Sequence, residues 1–403
     1  MTDIITAGII SAVFVLIFAA AETLRKFSAL NVEVTRKFVH FTGAFTTLFF
    51  PFIFTSAWTV FALAAAFGLI IAITKKFGLL QSVHGIDRKS SGAIYHPIAV
   101  YICFLFAQYL DQPWFYVIAI SVLGVSDAFA ALVGKTYGLK KFTVDADDKK
   151  SAEGSLFFFL STFLIVHLIL LLCTPTGRLE SVLIALLIAL ILTIFESVSI
   201  NGVDNIFVPL GTIFILSQNI APTIGGISRQ IVYLVVIIMI LLFLMKPYKK
   251  IGFSGVLLLG LMTYIALALG GWYFALCLFA AIAIGQKTNW ILIQNEKSEL
   301  YRVVAVFHIL FVPMVWVFLA EFNKIFFVPF LFSLLEQALI IWNWKRKMRG
   351  LEVKSLSLTS KIYWYFLNKY EWADKEYLKT GLIVSLFTST LVALGALYVQ
   401  NIR

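Results

Sequence analysis

Long apolar stretches alternate with short polar loops along almost the whole chain. They lie at about 4–21, 38–54, 56–73, 93–110, 114–133, 155–173, 179–196, 206–218, 230–245, 254–270, 272–286, 303–320, 325–342 and 380–398. Because an α-helix needs about 20 apolar residues to cross the hydrocarbon core, this pattern predicts an all-α, polytopic integral membrane protein with about 14 transmembrane helices. The 206–218 stretch is short for a span and is a candidate re-entrant segment.

Composition excludes an ordinary soluble protein. Hydrophobic residues make up 61% of the chain and charged residues 13%, whereas soluble domains hold roughly 45–50% and 25%. The first stretch lacks a basic leading segment and a clear cleavage site, so we expect a retained first helix. Cys103, Cys173 and Cys277 show neither a CxxC pair nor metal-ligand spacing, which argues against a disulfide framework.

The net charge of +11 has two interpretations, a nucleic-acid binder or a membrane protein with basic inner loops. If the N-terminus lies outside, every second loop lies inside. Those loops hold all 32 basic residues except Arg178, Arg229, Lys324 and Arg403. This alternation follows the positive-inside rule, so we expect no nucleic-acid partner. We expect the protein in the cell membrane of a prokaryote, or in the endoplasmic reticulum or plastid membrane of a eukaryote.

The chain divides near residue 220. Polar motifs at helix ends concentrate in 1–220, which we predict to be the catalytic membrane domain. An additional membrane domain of unassigned role follows at 221–403. Its basic, aromatic segment 343–379 predicts a pair of interfacial helices on the inner leaflet. The sequence carries no signal for an oligomeric state.

The most informative motif covers residues 122–160. Asp127 lies in the inner half of an apolar helix, where an acidic residue is costly and usually functional. It can bind a divalent cation. Basic and hydroxyl side chains that can bind phosphate follow it, namely Lys135, Lys149, Lys150, Ser151 and Ser155. Phosphoryl transfer requires such a set of carboxylate, lysines and donors. The alternative is an ordinary inner loop with a topogenic lysine cluster, which we prefer for Lys140 and Lys141.

A second motif, FESVSINGVDNIFVPLG at 195–211, lies on the same predicted face. Glu196, Asp204 and Asn205 can complete a metal or nucleotide site there. The alternative is that Asn-Gly and Asp-Asn only form a turn and cap a helix. The segment has no basic residue although it lies inside, which favours a site whose cations come from elsewhere.

Two further polar motifs run from inner loops into spans. One contains Arg88 and Gly92, and the other contains Arg36 and His40. His40, His84 and His96 form no HxxxH-type pair, so packing or interface roles are the simpler interpretation of each histidine.

With these motifs in order, residues 1–220 resemble the dolichol kinase and phytol kinase family, which is related to the phosphatidate cytidylyltransferases. The matching pieces are TRKFVH at 35–40, RKSSGAIYHPIAV at 88–100, SDAFAALVGKTYG at 126–138, KKSAEGS at 149–155 and ESVSINGVDNIFVPL at 196–210. Cytidylyltransferases end on a His-Gly-Gly run and an acid-Arg-acid cluster. NGVDN at 201–205 stands here instead, which favours a kinase.

The resemblance implies an enzyme that uses CTP and Mg²⁺ to phosphorylate a membrane-borne isoprenoid alcohol such as phytol, geranylgeraniol, farnesol or dolichol. It assigns nucleotide and metal binding to Asp127, Lys135, Lys149, Glu153, Gly154, Glu196, Asp204 and Asn205. It makes Arg36, His40, Arg88 and Gly92 candidate supports or substrate-side residues. Among the carboxylates, we expect Asp204 to accept or orient the alcohol proton, with Glu153 next.

Three alternatives stay open: a cytidylyltransferase that makes a CDP-lipid, a CTP-dependent diacylglycerol kinase, and a non-enzymatic transporter or scaffold. A transporter favours acidic residues near the bilayer midplane. The acidic residues here cluster toward one predicted face, the cytosolic one, where we expect the active site.

Overall fold

The computed structural model describes residues 2–27, 32–85, 91–145, 148–221, 223–245, 252–287, 302–348 and 374–402. Within these ranges the chain is helical apart from one short β-hairpin. The same ranges contain eight helices long and apolar enough to cross a bilayer, and four shorter apolar helices. The predicted all-α polytopic membrane fold is confirmed, whereas the count of 14 spans stays a prediction.

The chain forms two compact units, Met1–Ile231 and Val232–Arg403. The roles expected for 1–220 and 221–403 stay predictions. The first unit contains α1 (Thr2–Phe27), α2 (Val32–Thr47), α3 (Phe50–Ile53), α4 (Ala57–Lys76), α5 (Gln81–His84), α6 (Gly92–Leu110), α7 (Pro113–Ser121), α8 (Asp127–Tyr137), β1 (Lys141–Asp145), β2 (Asp148–Ser151), α9 (Ala152–Cys173), α10 (Arg178–Val198) and α11 (Asp204–Ser217). The boundary between the units falls within α12 (Ile224–Met245).

Lipid and protein contacts are divided unequally among the helices of the first unit. Along α1, large apolar side chains such as Ile9 and Leu16 face outward, as expected of a surface solvated by lipid rather than water. In α10, by contrast, 67% of the most apolar window is buried, against 17% in α1. The helix that carries Glu196 near its end is therefore at the centre of the unit.

The span that carries Asp127 is interrupted just before that residue. Helices α7 and α8 are joined by a π-helical turn, Val122–Ser126, so that Pro113–Tyr137 is one continuous apolar segment. A π turn shifts the hydrogen-bond register of a helix and is frequent at functional sites. Here it ends where Asp127 begins.

A β-hairpin lies between α8 and α9, where the sequence analysis expected a polar loop. Lys141 pairs with Ser151 and Thr143 with Lys149 in antiparallel register. The alternation that specifies it is only four residues long, with Val144 buried, which is too short to stand out among charged neighbours. Ser151 ends the hairpin and caps α9, because its Oγ accepts the Gly154 N–H at 3.1 Å.

The second unit contains α13 (Gly252–Ile265), α14 (Trp272–Lys287), α15 (Arg302–Ala320), α16 (Phe327–Met348) and α17 (Asp374–Ile402). Polar side chains pair inside it: Trp316 donates to Ser389 at 2.9 Å, and Thr388 donates to Glu336 at 2.7 Å. Most of the predicted interfacial segment 343–379 lies outside the described residues, so the pair of interfacial helices stays a prediction.

Candidate active site

A buried lysine–aspartate pair joins α2 to α8. Lys37 Nζ lies 2.5 Å from Asp127 Oδ2 and 3.4 Å from the Asp127 carbonyl oxygen. The two side chains are only 8% and 14% exposed. Buried charges are tolerated when they are paired, so this contact fixes the Asp127 carboxylate. Lys37 is not among the site residues predicted from the sequence, although its position three residues before His40 places both on one helix face.

His40 orients toward the same carboxylate. Its Nε2 lies 3.1 Å from the Leu123 carbonyl oxygen and 3.5 Å from Asp127 Oδ2. A carbonyl only accepts, so Nε2 carries the hydrogen, and Nδ1 of the neutral ring is left as an acceptor. The π turn supplies that carbonyl, which links the irregular backbone to the site.

A second histidine stands beside the first. The rings of His40 and His96 are edge to face, with centroids 5.0 Å apart. Both ring nitrogens of His96 are buried, and neither has a hydrogen-bond partner among the described residues. Such groups are rare because leaving them unpaired is costly. From the sequence, His96 is distinguished only by its place in the 88–100 motif.

The hairpin places a second lysine on a second buried carboxylate. Lys150 Nζ pairs with Glu196 Oε1 and also donates to the Glu196 carbonyl oxygen at 2.8 Å. The side chains are 16% and 7% exposed. Residues from the 149–155 and 196–210 motifs therefore meet, as their predicted common face requires.

The acidic residues of the site lie within electrostatic range of one another, since both Asp204 and Asp127 act on Glu196. Asp127 uses Oδ2 for Lys37 and His40, which leaves Oδ1 outside these contacts. Glu196 Oε2 is buried without a hydrogen-bond partner among the described residues. These free oxygens fit Mg²⁺ that arrives with a nucleotide, because such Mg²⁺ takes one or two carboxylates plus phosphate oxygens.

A resident metal centre is a different matter. Within the part of the chain that the structure describes, no group of three or more His, Cys, Asp or Glu side chains is arranged to hold a metal ion.

Glycines let the helices of the site approach closely. A Cβ on Gly154 would lie 2.9 Å from the Ala130 carbonyl oxygen, and one on Gly134 would lie 2.9 Å from Ser151 Oγ. Both distances are shorter than side chains tolerate, so glycine allows α8 to pack against the start of α9. This packing gives Gly154 a structural role, and its predicted part in nucleotide binding stays a prediction.

The start of α6 meets the turn before α11 in a similar way. A Cβ on Gly92 would clash with the Asn205 side-chain amide. The Ser91 N–H donates to the Asn201 carbonyl oxygen at 3.0 Å. The 88–100 and 196–210 motifs are thus joined at the same end of the first unit.

A cavity of about 410 Å³ opens beside the two histidines. His40 and His96 line one part of it, together with Arg36, Ser91 and Asn205. Aromatic and aliphatic side chains from α1, α3 and α4 line the rest, among them Phe14, Phe18, Phe50, Leu63 and Phe67. A pocket with a polar end and an apolar body suits an amphipathic ligand.

His84 and Lys75 lie at the polar part of the lining. Burial lowers the pKa of His84 below its ordinary value, and the positive charge of Lys75 lowers it further. His84 is therefore neutral at neutral pH. Its Nε2 lies 3.0 Å from Thr74 Oγ1, which holds the ring in place.

Comparison with known proteins decides the family. A phytol kinase of Synechocystis sp. is 30% identical over 212 residues, which cover 52% of this chain and 90% of that protein. A probable chloroplastic phytol kinase 2 of Glycine max is 27% identical over 231 residues, covering 53% and 73%. The chain belongs to the phytol kinase family. No protein-family model and no solved structure matches it.

Membership in the phytol kinase family confirms the resemblance drawn from the motifs. The protein is a membrane-embedded kinase, a phosphotransferase with an alcohol acceptor. The non-enzymatic alternatives, a transporter or a scaffold, are thereby set aside. A probable chloroplastic phytol kinase of Zea mays is also similar, at 33% identity over 106 residues that cover 25% of this chain and 34% of that protein.

The remaining predicted site residues of this phytol kinase family member differ in exposure and in the contacts they make. Lys135 and Lys149 are exposed. Glu153 accepts the Lys140 N–H at 3.2 Å, so it closes the base of the hairpin. Ser155 Oγ lies 2.9 Å from Ser197 Oγ, which ties α9 to α10. Arg88 lies outside the described residues, and its role stays a prediction.

Proposed function

We propose that this member of the phytol kinase family transfers the γ-phosphate of CTP to a long-chain isoprenoid alcohol at the cytosolic face of its membrane. One observation carries the proposal: two buried lysine–carboxylate pairs, Lys37–Asp127 and Lys150–Glu196, belong to one charged centre in the first unit. Such a centre supplies what phosphoryl transfer needs, namely fixed positive charge and carboxylates. The relatives are named for phytol, which makes phytol the first acceptor to test.

The lysines are the proposed phosphate-binding groups. Lys150 is held at Glu196, and the exposed Lys135 and Lys149 lie on the neighbouring helix end and hairpin strand. Backbone donors at the start of α9 contribute less than the sequence suggested. The Ala152 N–H already binds the Lys140 carbonyl oxygen, and the Gly154 N–H already binds Ser151 Oγ.

Asp127 and Glu196 are the residues that would hold Mg²⁺, through the oxygens that the lysines leave free. When bound, Mg²⁺ supplies charge neutralisation at the phosphate oxygens. The chain itself holds the two carboxylates in place through Lys37 and Lys150, and it excludes water by burying them. Preorganised charges of this kind stabilise a transferring phosphoryl group because they need no reorganisation during the reaction.

The acceptor side favours a kinase over a cytidylyltransferase. A kinase directs a neutral hydroxyl at the γ-phosphorus, whereas a cytidylyltransferase directs a lipid phosphate at the α-phosphorus. Glu196 and Asp204 bring negative charge to the centre, and residues 196–205 contain no lysine or arginine. An incoming lipid phosphate would be repelled there, while a neutral hydroxyl would not.

Position-specific labelling of CTP tests the reaction class. The purified protein in proteoliposomes is given γ-labelled or α-labelled CTP with phytol, geranylgeraniol, farnesol, dolichol or diacylglycerol. We expect label from the γ-position to appear in an isoprenoid monophosphate and none from the α-position to enter lipid. Label from the α-position in lipid would establish a cytidylyltransferase, and preferential labelling of diacylglycerol would change the acceptor class. Parallel reactions with γ-labelled ATP and GTP identify the donor.

A further inference from the structure

The cavity of about 410 Å³ in the first unit combines a polar end with an aromatic body. We propose that it is the binding site of the acceptor, with the isoprenoid chain in the aromatic body and the hydroxyl at His40 and His96. This inference rests on the proposed function, since it assigns a place to the alcohol that the kinase uses. It makes His96, for which the sequence alone indicates only a packing or interface role, a positioning residue.

The polar end lacks hydrogen-bond partners that an alcohol supplies. Both buried ring nitrogens of His96 are unpaired among the described residues, and a buried unpaired nitrogen is costly. A neutral imidazole offers one donor and one acceptor, and a hydroxyl offers both in return. One hydroxyl therefore satisfies a nitrogen of His96 and can also donate to Nδ1 of His40.

This position also places the hydroxyl next to the charged centre. His40 lines the cavity, and its Nε2 lies 3.5 Å from Asp127 Oδ2. A hydroxyl on the cavity side of His40 is thus separated from the Asp127 carboxylate by one imidazole ring. Such nearness suits a reaction between a lipid and a nucleotide, because the acceptor must meet the phosphate where the apolar pocket ends.

The body of the cavity suits a branched hydrocarbon chain. Phe14 forms ring contacts with Phe18 and Phe67, with centroids 6.3 and 4.4 Å apart. Gly43 lies opposite Phe14: a Cβ placed there would be 3.3 Å from the Phe14 ring. Glycine at position 43, one turn after His40, therefore lets the Phe14 ring pack closely against α2 at the cavity wall. Apolar walls of this kind bind a hydrocarbon chain through the hydrophobic effect and exclude an ionic ligand.

Two neighbouring alanines of α4 provide a matched test. Ala64 lines the cavity, whereas Ala65 is exposed on the outer face of the same helix. We expect Ala64→Phe to fill part of the body and to raise the KM for phytol about tenfold, while leaving the affinity for CTP unchanged. Ala65→Phe should leave both values near those of the parent protein. Equal kinetics for the two variants, with wild-type melting temperatures, would overturn the assignment of the chain to this cavity.

The hydroxyl position is tested at His96. His96→Leu removes both ring nitrogens, and we expect it to raise the KM for the alcohol about tenfold or more with little change in the affinity for CTP. His96→Gln restores a donor and an acceptor, so it should recover much of the loss. A role in packing alone would leave the glutamine variant as impaired as the leucine variant, and that result would overturn the role of His96.

Photocrosslinking separates this inference from the proposed function. The full-length protein is irradiated with a diazirine analogue of geranylgeraniol in the absence of nucleotide, and modified peptides are mapped by mass spectrometry. We expect modification of residues 14–18, 36–50, 59–75 and 91–104, reduced by excess phytol. If the protein shows no kinase activity towards any alcohol but these peptides are still modified, the proposed reaction is contradicted and the alcohol site is supported. If the protein is an active kinase but only other helices are modified, the proposed reaction is supported and this alcohol site is contradicted.

Discussion

Lys150 in the hairpin reaches across 46 positions of sequence to bind Glu196, both at its carboxylate and at its backbone carbonyl. The contact ties a short polar element to the most buried helix of the first unit. Because Lys150 and Glu196 are 16% and 7% exposed, neither charge is well solvated without the other. The pair therefore serves stability as well as charge placement.

Lys150→Ala should lower both stability and activity. It leaves the Glu196 carboxylate buried without its lysine, at a cost of about 2 kcal/mol or more. Thermal unfolding in detergent and turnover with CTP measure the two effects. The adjacent Lys149 is exposed, so Lys149→Ala should weaken CTP binding without changing the melting temperature.

A double variant checks the reason for the stability loss. In Lys150→Ala/Glu196→Gln the buried group is neutral, so the melting temperature should recover while activity does not. A double variant as unstable as Lys150→Ala would show that the lysine acts through packing rather than charge.

Asp127→Asn should preserve the fold and remove most activity. The amide oxygen still accepts a hydrogen bond from Lys37, but an amide is a poor ligand for Mg²⁺. We expect turnover per folded molecule to fall about 100-fold, with a lowered melting temperature because the buried Lys37 loses its counter-charge. Asp111→Asn is the matched control, because Asp111 is exposed at the far end of α6 in a left-handed conformation that asparagine accepts. Near-normal turnover of Asp127→Asn would refute the role of Asp127 in metal binding.

The sequence predicts the helices and the main acidic residues for physical reasons. Apolar length alone identifies a span, and acidic residues such as Asp127 and Glu196 stand out in it because lipid excludes unpaired charge. It does not predict which lysine pairs with which acid. Lys37 lies 90 positions from Asp127, and only the packing of α2 against the π turn brings them together.

The cavity and the position of His96 in it cannot be predicted from the sequence, for a related reason. A histidine inside an apolar helix has the same sequence signal whether it packs or binds, and its unpaired nitrogens are visible only in three dimensions. The sequence does not predict the hairpin because the alternation of buried and exposed residues in its strands is too short. Gly154 was assigned to the nucleotide because it belongs to a motif, while the structure also gives it helix packing.

Gly154→Ala should destabilise the contact between α8 and α9. The added methyl group would lie 2.9 Å from the Ala130 carbonyl oxygen and 3.0 Å from Ser151 Oγ. Overpacking of this kind typically costs about 1–3 kcal/mol. Gly68→Ala is the control, because nothing lies within 4 Å of a Cβ at Gly68 in α4. Since alanine favours helix over glycine, Gly68→Ala should be neutral or stabilising in thermal unfolding.

The proposed cytosolic position of the charged centre makes a topology prediction. Single cysteines replacing Asp145 and Ile200 should react with an impermeant maleimide only from the cytosolic side. Cysteines replacing Gln112 and Thr176 should react only from the opposite side. The experiment uses a background in which Cys103, Cys173 and Cys277 are alanine. Opposite sides for positions 145 and 200 would separate the hairpin from Glu196 and contradict the composite site.

Removal of most of the second unit should impair catalysis less than it impairs stability or the binding of long alcohols. Every pairing of the charged centre, from Lys37–Asp127 to Lys150–Glu196, lies within Met1–Ile231. The similar phytol kinase of Synechocystis sp. aligns over 90% of its length with only 52% of this chain, so that family member has about three fifths as many residues. A protein that ends after α12 at Met245 should therefore still bind CTP with near-wild-type affinity, measured by equilibrium binding in detergent. Its losses should appear in melting temperature or in the KM for long alcohols. A truncated protein that is folded by circular dichroism and thermal unfolding, yet binds no CTP, would show that residues beyond 245 complete the nucleotide site.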